Sequence, residues 1–204
     1  MKINIKCLCG ANFRFIYDEE IDIDQKPEYL SDISNGTFMS AGCPVCGKIH
    51  KPEFRIIINW KSKNFKLEVI PELERVSFYN NKKDKQLYET VIGFPEMADR
   101  LAVIKDNLEP VVIEVLKSFL LVKAAENYPD KDVNVRYHGK GPLGIEFHLD
   151  GIRQDETAVM RIPNELYEKT LIDWQKRPKN EMYISLRVRS YLSVRNAFKP
   201  DVLK

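Results

Sequence analysis

The sequence predicts an α+β protein of two units, a zinc-ribbon-like antiparallel β module followed by an α+β unit of helices and a β meander. Three observations support this class. Two tight cysteine pairs lie in the first quarter of the chain, alternating apolar segments surround them, and a long apolar segment with helical character precedes further alternating segments. We expect residues 1–75 to form the β module and residues 76–204 to form the α+β unit.

Length and composition fit this organisation. A chain of 204 residues can form one large or two small domains, and a hydrophobic content of 44% is ordinary for a protein with a buried core. The 32 basic and 30 acidic residues nearly cancel, leaving a formal net charge of +2. This balance gives no general support for polyanion binding.

The sequence favours a cytoplasmic protein. Residues 1–7 lack an apolar leader segment, and no apolar run approaches the roughly 20 residues of a membrane-spanning helix. We therefore expect no membrane association. Cytoplasmic thiols are kept reduced, which favours metal binding over disulfide formation.

The strongest motif consists of the two segments Cys7-Leu8-Cys9-Gly10 and Cys43-Pro44-Val45-Cys46-Gly47, which contain all four cysteines. Each pair forms a short turn that can present two thiolates, and glycine permits the backbone angles of such turns. Four thiolates suit one tetrahedral zinc ion. We expect a structural ion, because four sulfur ligands leave no open position for water.

Other interpretations of the cysteines remain open. Cys43 and Cys46 have the spacing of redox dithiols, and the four residues could also form disulfides. The pair Cys7 and Cys9 is one residue tighter than the usual zinc spacing. His50, three residues beyond Cys46, could replace one sulfur, although a surface histidine is the simpler interpretation.

Residues 3 to about 70 resemble the CpXC domain, a bacterial module named for its Cys-Pro-x-Cys motif. The resemblance is carried by the segments 5–10 and 43–47 and by the alternating run between them, and it extends through residues 93–121. It implies a zinc site at the four cysteines. It implies no particular reaction.

The elements of the first unit follow from periodicity and turn signals. Phe13 and Phe15 alternate with Arg14, and Asn35-Gly36 is a helix stop signal. The predicted elements are a strand at 12–16, an alternating acidic segment at 18–24, a helix at 27–35, and strands at 54–60 and 65–69. Residues 18–32 hold seven acidic residues and one lysine, which indicates a solvated face or a docking surface for a basic partner.

The next segment is polar and mixed. Residues 80–85 form the best loop candidate, and 76–79 with 86–91 could form a β-hairpin around it. Pro95 can begin a helix that reaches about residue 106.

A helix at about 108–127 is apolar nearly all round, with charge restricted to a strip at Glu114, Lys117, Lys123 and Glu126. A helix of this kind is buried in the core or by a second subunit. The charged strip and the absence of flanking basic anchors speak against a membrane helix.

The sequence after this helix predicts a β-hairpin or meander at about 133–162, followed by a helix and a basic tail. The predicted elements are strands at 133–137, 145–149 and 157–162, a turn at 138–142, and a helix at 164–176. Residues 176–204 hold eight basic and two acidic residues, a net charge of +6. Their apolar side chains indicate that this tail packs against the protein.

Catalytic motifs are weak. The sequence His138-Gly139-Lys140-Gly141 lacks the full phosphate-loop pattern, and turn geometry explains its glycines. His148 is expected on the exposed sheet face, and Asp150, Asp155 and Glu156 fit a polar loop. No catalytic triad or zinc-protease motif stands out.

Three functional classes remain. The first is a noncatalytic, zinc-stabilised protein that mediates protein–protein interaction or self-association. The second is a nucleic-acid binder that uses Arg187, Arg189 and Arg195 interleaved with Tyr183 and Tyr191. The third and weakest is an enzyme whose site is assembled from distant residues.

Overall fold

A computed structural model describes residues 1–81 and 88–198. It confirms the α+β class, since strands and helices are both abundant and antiparallel strands begin the chain. The chain divides into two compact units, Met1–Ala98 and Asp99–Lys204. Each unit is described by itself below.

The first unit is mainly β-structure. Its strands are β1 (Lys2–Lys6), β2 (Asn12–Ile16), β3 (Glu20–Asp22), β4 (Ala41–Gly42), β5 (Ile49–His50), β6 (Ile56–Trp60), β7 (Phe65–Ile70) and β8 (Glu89–Ile92). β1 pairs with β2 and β4 pairs with β5, in both cases antiparallel. These two short ribbons carry the cysteine pairs.

The remaining strands of the unit form one sheet in the order β8-β7-β6-β3. β6 and β7 are antiparallel, as predicted for 54–60 and 65–69, but β3 pairs with β6 and β8 pairs with β7 in parallel. The sheet is therefore mixed rather than purely antiparallel. Ile21, Ile58 and Leu67 are among the side chains that it buries, each at most 1% exposed.

The acidic segment at 18–24 is largely paired within the unit. Lys26 contacts Asp18 at 2.6 Å, and Lys61 contacts Asp22 at 2.8 Å. Asp24 accepts a hydrogen bond from the Ser62 amide at 2.9 Å. These contacts favour a solvated structural face over a docking surface for a basic partner.

Helices α1 (Glu28–Ser34) and α2 (Arg75–Asn80) lie within the first unit. α1 confirms the helix predicted at 27–35. α2 shows that the strand predicted at 76–79 is wrong. Arg75 anchors this turn of helix by contacting Glu72 at 2.7 Å and Glu96 at 2.9 Å, and Phe78 is buried.

No hairpin joins 76–79 to β8, because 76–79 is helical and β8 pairs with β7. Most of the loop predicted at 80–85 lies outside the described residues. The predicted boundary at residue 75 coincides with the start of α2, inside the first compact unit. The parallel pairing of β8 with β7 explains why residues 89–92 belong to that unit.

The second unit contains most of the helical structure. Its elements are the end of α3 (Phe94–Lys105), α4 (Pro110–Asn127), β9 (Asn134–Gly141), β10 (Gly144–Arg153), β11 (Glu156–Ile162), α5 (Asn164–Lys176), α6 (Glu181–Ser185), β12 (Arg187–Val188) and β13 (Tyr191–Leu192). β9, β10 and β11 form an antiparallel sheet in the order β11-β10-β9. The predicted meander is confirmed, but β9 continues through the expected turn at 138–142 as far as Gly141.

The core of the second unit lies between α4 and the inner face of this sheet. α4 contributes Val112, Ile113 and Leu116, each 0% exposed, and β10 contributes Ile145 and Phe147, also 0% exposed. At about 25 cal/mol per Å² of apolar area, their burial is a leading contribution to the stability of the unit. The prediction of a buried, mostly apolar helix is confirmed.

The charged strip predicted on α4 is partly buried. Glu114 is 4% exposed and Lys117 is 5% exposed. Lys117 Nζ lies 2.8 Å from Glu114 Oε1 and also contacts Asp99. Arg100 Nη2 lies 3.5 Å from the same Glu114 oxygen. These four side chains form a buried ionic cluster, which the sequence did not reveal.

The tail up to residue 198 packs within the second unit, as expected. Tyr183, Leu186, Leu192 and Val194 are all buried and pack against α4 through Val111 and Val115. Glu114 Oε2 accepts a hydrogen bond from the Val194 amide at 2.7 Å. Residues 199–204 lie outside the described part of the chain.

Candidate metal centre

The first cysteine pair lies in the turn that connects β1 to β2. The Cys7 amide donates to the Ala11 carbonyl at 2.8 Å, and the Gly10 amide donates back to the Cys7 carbonyl at 2.9 Å. Gly10 has φ +89°, a conformation that side chains disfavour. The turn thus holds Cys7 and Cys9 with a fixed backbone, and the expected role of this glycine is confirmed.

The second pair is built in the same way between β4 and β5. The Cys43 amide donates to the Lys48 carbonyl at 2.8 Å, and the Gly47 amide donates to the Cys43 carbonyl at 2.9 Å. Gly47 has φ +72°. Two similar loops, here called the cysteine loops (residues 7–11 and 43–48), therefore present the four thiols.

The two cysteine loops bring their sulfurs together. Cys7 Sγ lies 3.6 Å from Cys46 Sγ, and Cys9 Sγ lies 3.6 Å from Cys43 Sγ. All four sulfurs lie within 4.8 Å of one another. A tetrahedral zinc ion with bonds of about 2.3 Å requires sulfurs about 3.8 Å apart. The four cysteines therefore fit a single metal ion.

The cluster lies at the edge of the unit. Cys7 and Cys43 are buried, with exposures of 2% and 3%, whereas Cys9 and Cys46 are exposed. All four are free thiols, and the nearest sulfurs are well beyond the 2.05 Å of a covalent disulfide. This geometry favours a metal over the disulfide interpretation.

The thiols differ in their electrostatic surroundings. Hydrogen bonds from the Cys46 and Val45 amides lower the pKa of Cys43 to about 6. At Cys9 the Ala11 amide lowers the pKa, but hydrogen bonding to the neighbouring thiols and burial raise it to about 12. Ionisation is therefore favoured at Cys43 and disfavoured at Cys9, and a bound cation would offset the repulsion among four thiolates.

The remaining interpretations of the cysteines receive less support from the geometry. A redox Cys-x-x-Cys pair normally begins a helix, but Cys46 is followed by Gly47 and the short strand β5. His50 lies outside the sulfur cluster. Its ring packs edge-on against Phe13, with centroids 5.5 Å apart.

The tips of both cysteine loops are apolar. Leu8 lies between Cys7 and Cys9 and is 87% exposed, and Val45, which with Pro44 lies between Cys43 and Cys46, is 73% exposed. Ile49, just after the second loop, is 58% exposed. These side chains were not singled out from the sequence, although Leu8 and Val45 stand inside the two cysteine motifs.

The weaker candidates from the sequence are placed as follows. The segment 138–141 is the end of β9 and does not precede a helix, so it is not a phosphate loop. Asp150 binds Arg136 at 2.5 Å and Thr157 at 2.7 Å, which explains its carboxylate structurally. Within residues 1–81 and 88–198, no helix has the length and apolar character needed to cross a bilayer.

Comparison with known proteins agrees with this geometry. The family described as "CpXC protein" matches residues 5–117, more than half of the chain and including all four cysteines. An "Uncharacterized protein" of Treponema pallidum (strain Nichols) is 29% identical over 217 residues, which cover 96% of this chain and 98% of that protein. No solved structure matches the chain significantly. The chain, with its two cysteine loops inside the matched region, belongs to the CpXC protein family.

Proposed function

We propose that this is a noncatalytic, zinc-stabilised protein whose cysteine loops dock on another protein. The observation that carries the proposal is the exposure of Leu8 and Val45, which are 87% and 73% exposed between the paired thiols. Because only the cysteine sulfurs would ligate the ion, metal binding does not require Leu8 and Val45 to be apolar. Large apolar residues at both tips instead support an apolar contact with a partner.

Zinc is the ion that the ligand set favours. Thiolates are soft ligands, and a closed tetrahedral set of four is typical of structural zinc. No coordination position remains for water or substrate, which supports a structural rather than a catalytic role. The ion would stabilise the cysteine loops and thereby fix the position of the apolar tips.

The chemistry of the tips supports a protein partner. Leu8, Val45 and Ile49 offer apolar surface, and a zinc ion with four thiolates carries a formal charge of −2, which repels phosphate. The three side chains together offer at most a few hundred Å², far below the roughly 2,000 Å² of an obligate dimer. We therefore commit to a small apolar site on a different protein rather than a second copy of this chain.

Nucleic-acid binding is the second candidate, based on the basic residues of the tail. Arg187 and Arg195 are exposed. Tyr183 and Tyr191, the tyrosines of the same segment, are only 4% and 0% exposed. Buried rings do not offer faces for base stacking, so this candidate has less support than protein binding.

The test uses the zinc-loaded full chain as bait for chemical cross-linking in a lysate of its source organism. The variant L8S/V45S removes both apolar tips, and L73S is its matched control, because Leu73 is an exposed leucine (98%) of the same unit outside the cysteine loops. A cross-linked partner is identified, purified and titrated. We expect L73S to bind it like the wild type and L8S/V45S to bind at least tenfold more weakly, with unchanged zinc content.

Equal affinity of L8S/V45S and wild type for every purified partner contradicts the proposal. Salt-sensitive binding of a DNA or RNA oligonucleotide that is lost in R187A/R195A but kept in L8S/V45S favours the nucleic-acid candidate instead. Fluorescence anisotropy at low salt measures this second outcome.

A further inference from the structure

A second group of metal-ligating side chains lies on the outer face of the sheet β9-β10-β11. It consists of His138, Glu146 and His148, here called the histidine cluster. One ligating atom from each residue lies within 4.8 Å of the other two. The two imidazole rings stack, with centroids 3.8 Å apart and an interplanar angle of 15°. Such convergence of two imidazoles and a carboxylate is typical of metal sites.

Strand alternation places two members of the cluster. Phe147 is 0% exposed and faces the core, so Glu146 and His148 lie together on the opposite face of β10. The third member comes from an irregularity in β9. Phe147 pairs with Tyr137, but Glu146 pairs with Gly139, so His138 is the extra residue of a β-bulge. A bulge redirects a side chain, and here it places His138 against His148.

Glu146 is held in an orientation suited to a ligand. Arg161 on β11 contacts Glu146 Oε2 at 2.8 Å. The other carboxylate oxygen, Oε1, lies 3.7 Å from Nε2 of both His138 and His148. Arg161 thus fixes the carboxylate while leaving one oxygen directed at the two imidazoles, a supporting role common around metal ligands.

The distances within the cluster are not those of a hydrogen-bonded triad. A separation of 3.7 Å exceeds the 2.7–3.2 Å of a normal hydrogen bond, so Glu146 does not bind either imidazole directly. Two ligand atoms about 2.1 Å from one ion lie about 3 to 4 Å apart. The spacing therefore fits an intervening ion better than direct contacts.

We propose that His138, Glu146 and His148 form a second metal site, which binds one divalent transition-metal ion from solution. Imidazole and carboxylate together suit ions such as Co²⁺, Ni²⁺ and Zn²⁺, and water completes the coordination. The ion has access, since the His138 side chain is 55% exposed. Because an ion must lie near the plane of each ring, binding rotates the stacked imidazoles out of their nearly parallel arrangement.

Cobalt titration of the zinc-loaded full chain tests this site. We expect isothermal titration calorimetry to show one Co²⁺ bound with a Kd of tens of micromolar or tighter. Paramagnetic broadening of backbone amide signals should centre on residues 138 and 148. The single variants H138N and H148N should each weaken binding at least tenfold, and E146Q several-fold. E156Q is the matched control, because Glu156 is an exposed glutamate on the neighbouring strand, and it should bind like the wild type.

The result that would overturn the second site is Co²⁺ binding that remains unchanged in H138N/H148N, or no binding at 1 mM Co²⁺. If Co²⁺ instead replaces zinc in the cysteine loops, thiolate-to-cobalt charge-transfer absorbance appears. Co²⁺ binding that gives this absorbance without broadening at residues 138 and 148 also contradicts the proposal. Far-UV circular dichroism checks that each variant is folded. We expect it to be unchanged, since all three side chains lie on the outer face of the sheet.

Discussion

Cys9 Sγ lies 3.6 Å from Cys43 Sγ although 34 positions separate the two residues in the chain. With the matching pair Cys7 and Cys46, this contact joins the β1–β2 ribbon to the β4–β5 ribbon. An isolated two-stranded ribbon is at best marginally stable in water, and β4 and β5 are only two residues each. The junction of the ribbons is therefore expected to depend on an ion held by the four thiols.

The first prediction concerns loss of the metal. C43S, or removal of zinc by a chelator, should lower the free energy of unfolding of the first unit by several kcal/mol, because structural zinc contributes about 10 kcal/mol or more of binding free energy in small domains. Urea denaturation with metal analysis measures the effect. Added zinc should restore the chelated wild type but not C43S. Unchanged stability in the metal-free wild type contradicts a structural ion.

The second prediction concerns the glycines of the cysteine loops. G47A should destabilise the protein by about 1–2 kcal/mol, because φ +72° is unfavourable for a residue with a side chain. An added Cβ at Gly47 meets nothing within 4 Å, so backbone strain alone causes the loss.

G139A is the matched control for this strain. A Cβ at Gly139 also meets nothing within 4 Å, but its φ is not in the left-handed region. Its unfolding midpoint in urea should stay near that of the wild type. Equal destabilisation by G47A and G139A would show that the positive φ is not the cause.

The third prediction concerns the buried ionic cluster of the second unit. K117M should lower the free energy of unfolding by about 3–5 kcal/mol, because it takes the buried cation away from Asp99 and leaves Glu114 with Arg100 alone of its two cations. K123M, on the exposed face of the same helix, should change stability by less than about 0.5 kcal/mol. Thermal and urea unfolding of both variants compare the two sites, and similar losses would contradict the assignment.

The fourth prediction concerns pH. Hydrogen bonds from Arg177 and from Tyr183, whose hydroxyl lies 2.7 Å away, hold the pKa of Asp173 below its usual 3.8. A lowered folded-state pKa contributes stability above about pH 4, and this contribution is lost as the pH falls through the folded-state value. D173N should therefore be less stable than wild type at pH 7, and the difference should shrink toward pH 3.

E168Q is the control for the pH experiment, because Glu168 is an exposed carboxylate of the same helix, α5. Urea unfolding at several pH values measures both variants. If D173N and wild type differ in free energy of unfolding by the same amount at pH 7 and at pH 3, the Asp173 carboxylate is not the titrating group.

Local sequence signals predicted the elements that depend on local structure. The helix at 164–176 matches α5, whose start follows Pro163, and the glycines after each cysteine pair adopt the expected positive φ. The proximity of the four thiols could also be anticipated, because two closely spaced cysteine pairs are typical of a single shared metal site.

Features that depend on distant partners were not predictable. Val76 to Tyr79 has strand-forming residues, but Arg75 and its acidic partners hold the segment as a helix. Glu114 and Lys117 resemble a solvated strip until α3 supplies Asp99 and Arg100. The position of His138 depends on a bulge, which appears only when β9 and β10 pair.

The hydrogen bond from the Val194 amide to Glu114 joins groups 80 positions apart. During translation, α4 leaves the ribosome long before this partner exists, so Glu114 first has Arg100 and Lys117 available and gains the Val194 amide later. The second unit is therefore expected to complete its fold only after residue 194 has been synthesised. Ribosome-bound chains that stop before residue 194 are expected to remain sensitive to protease in this half.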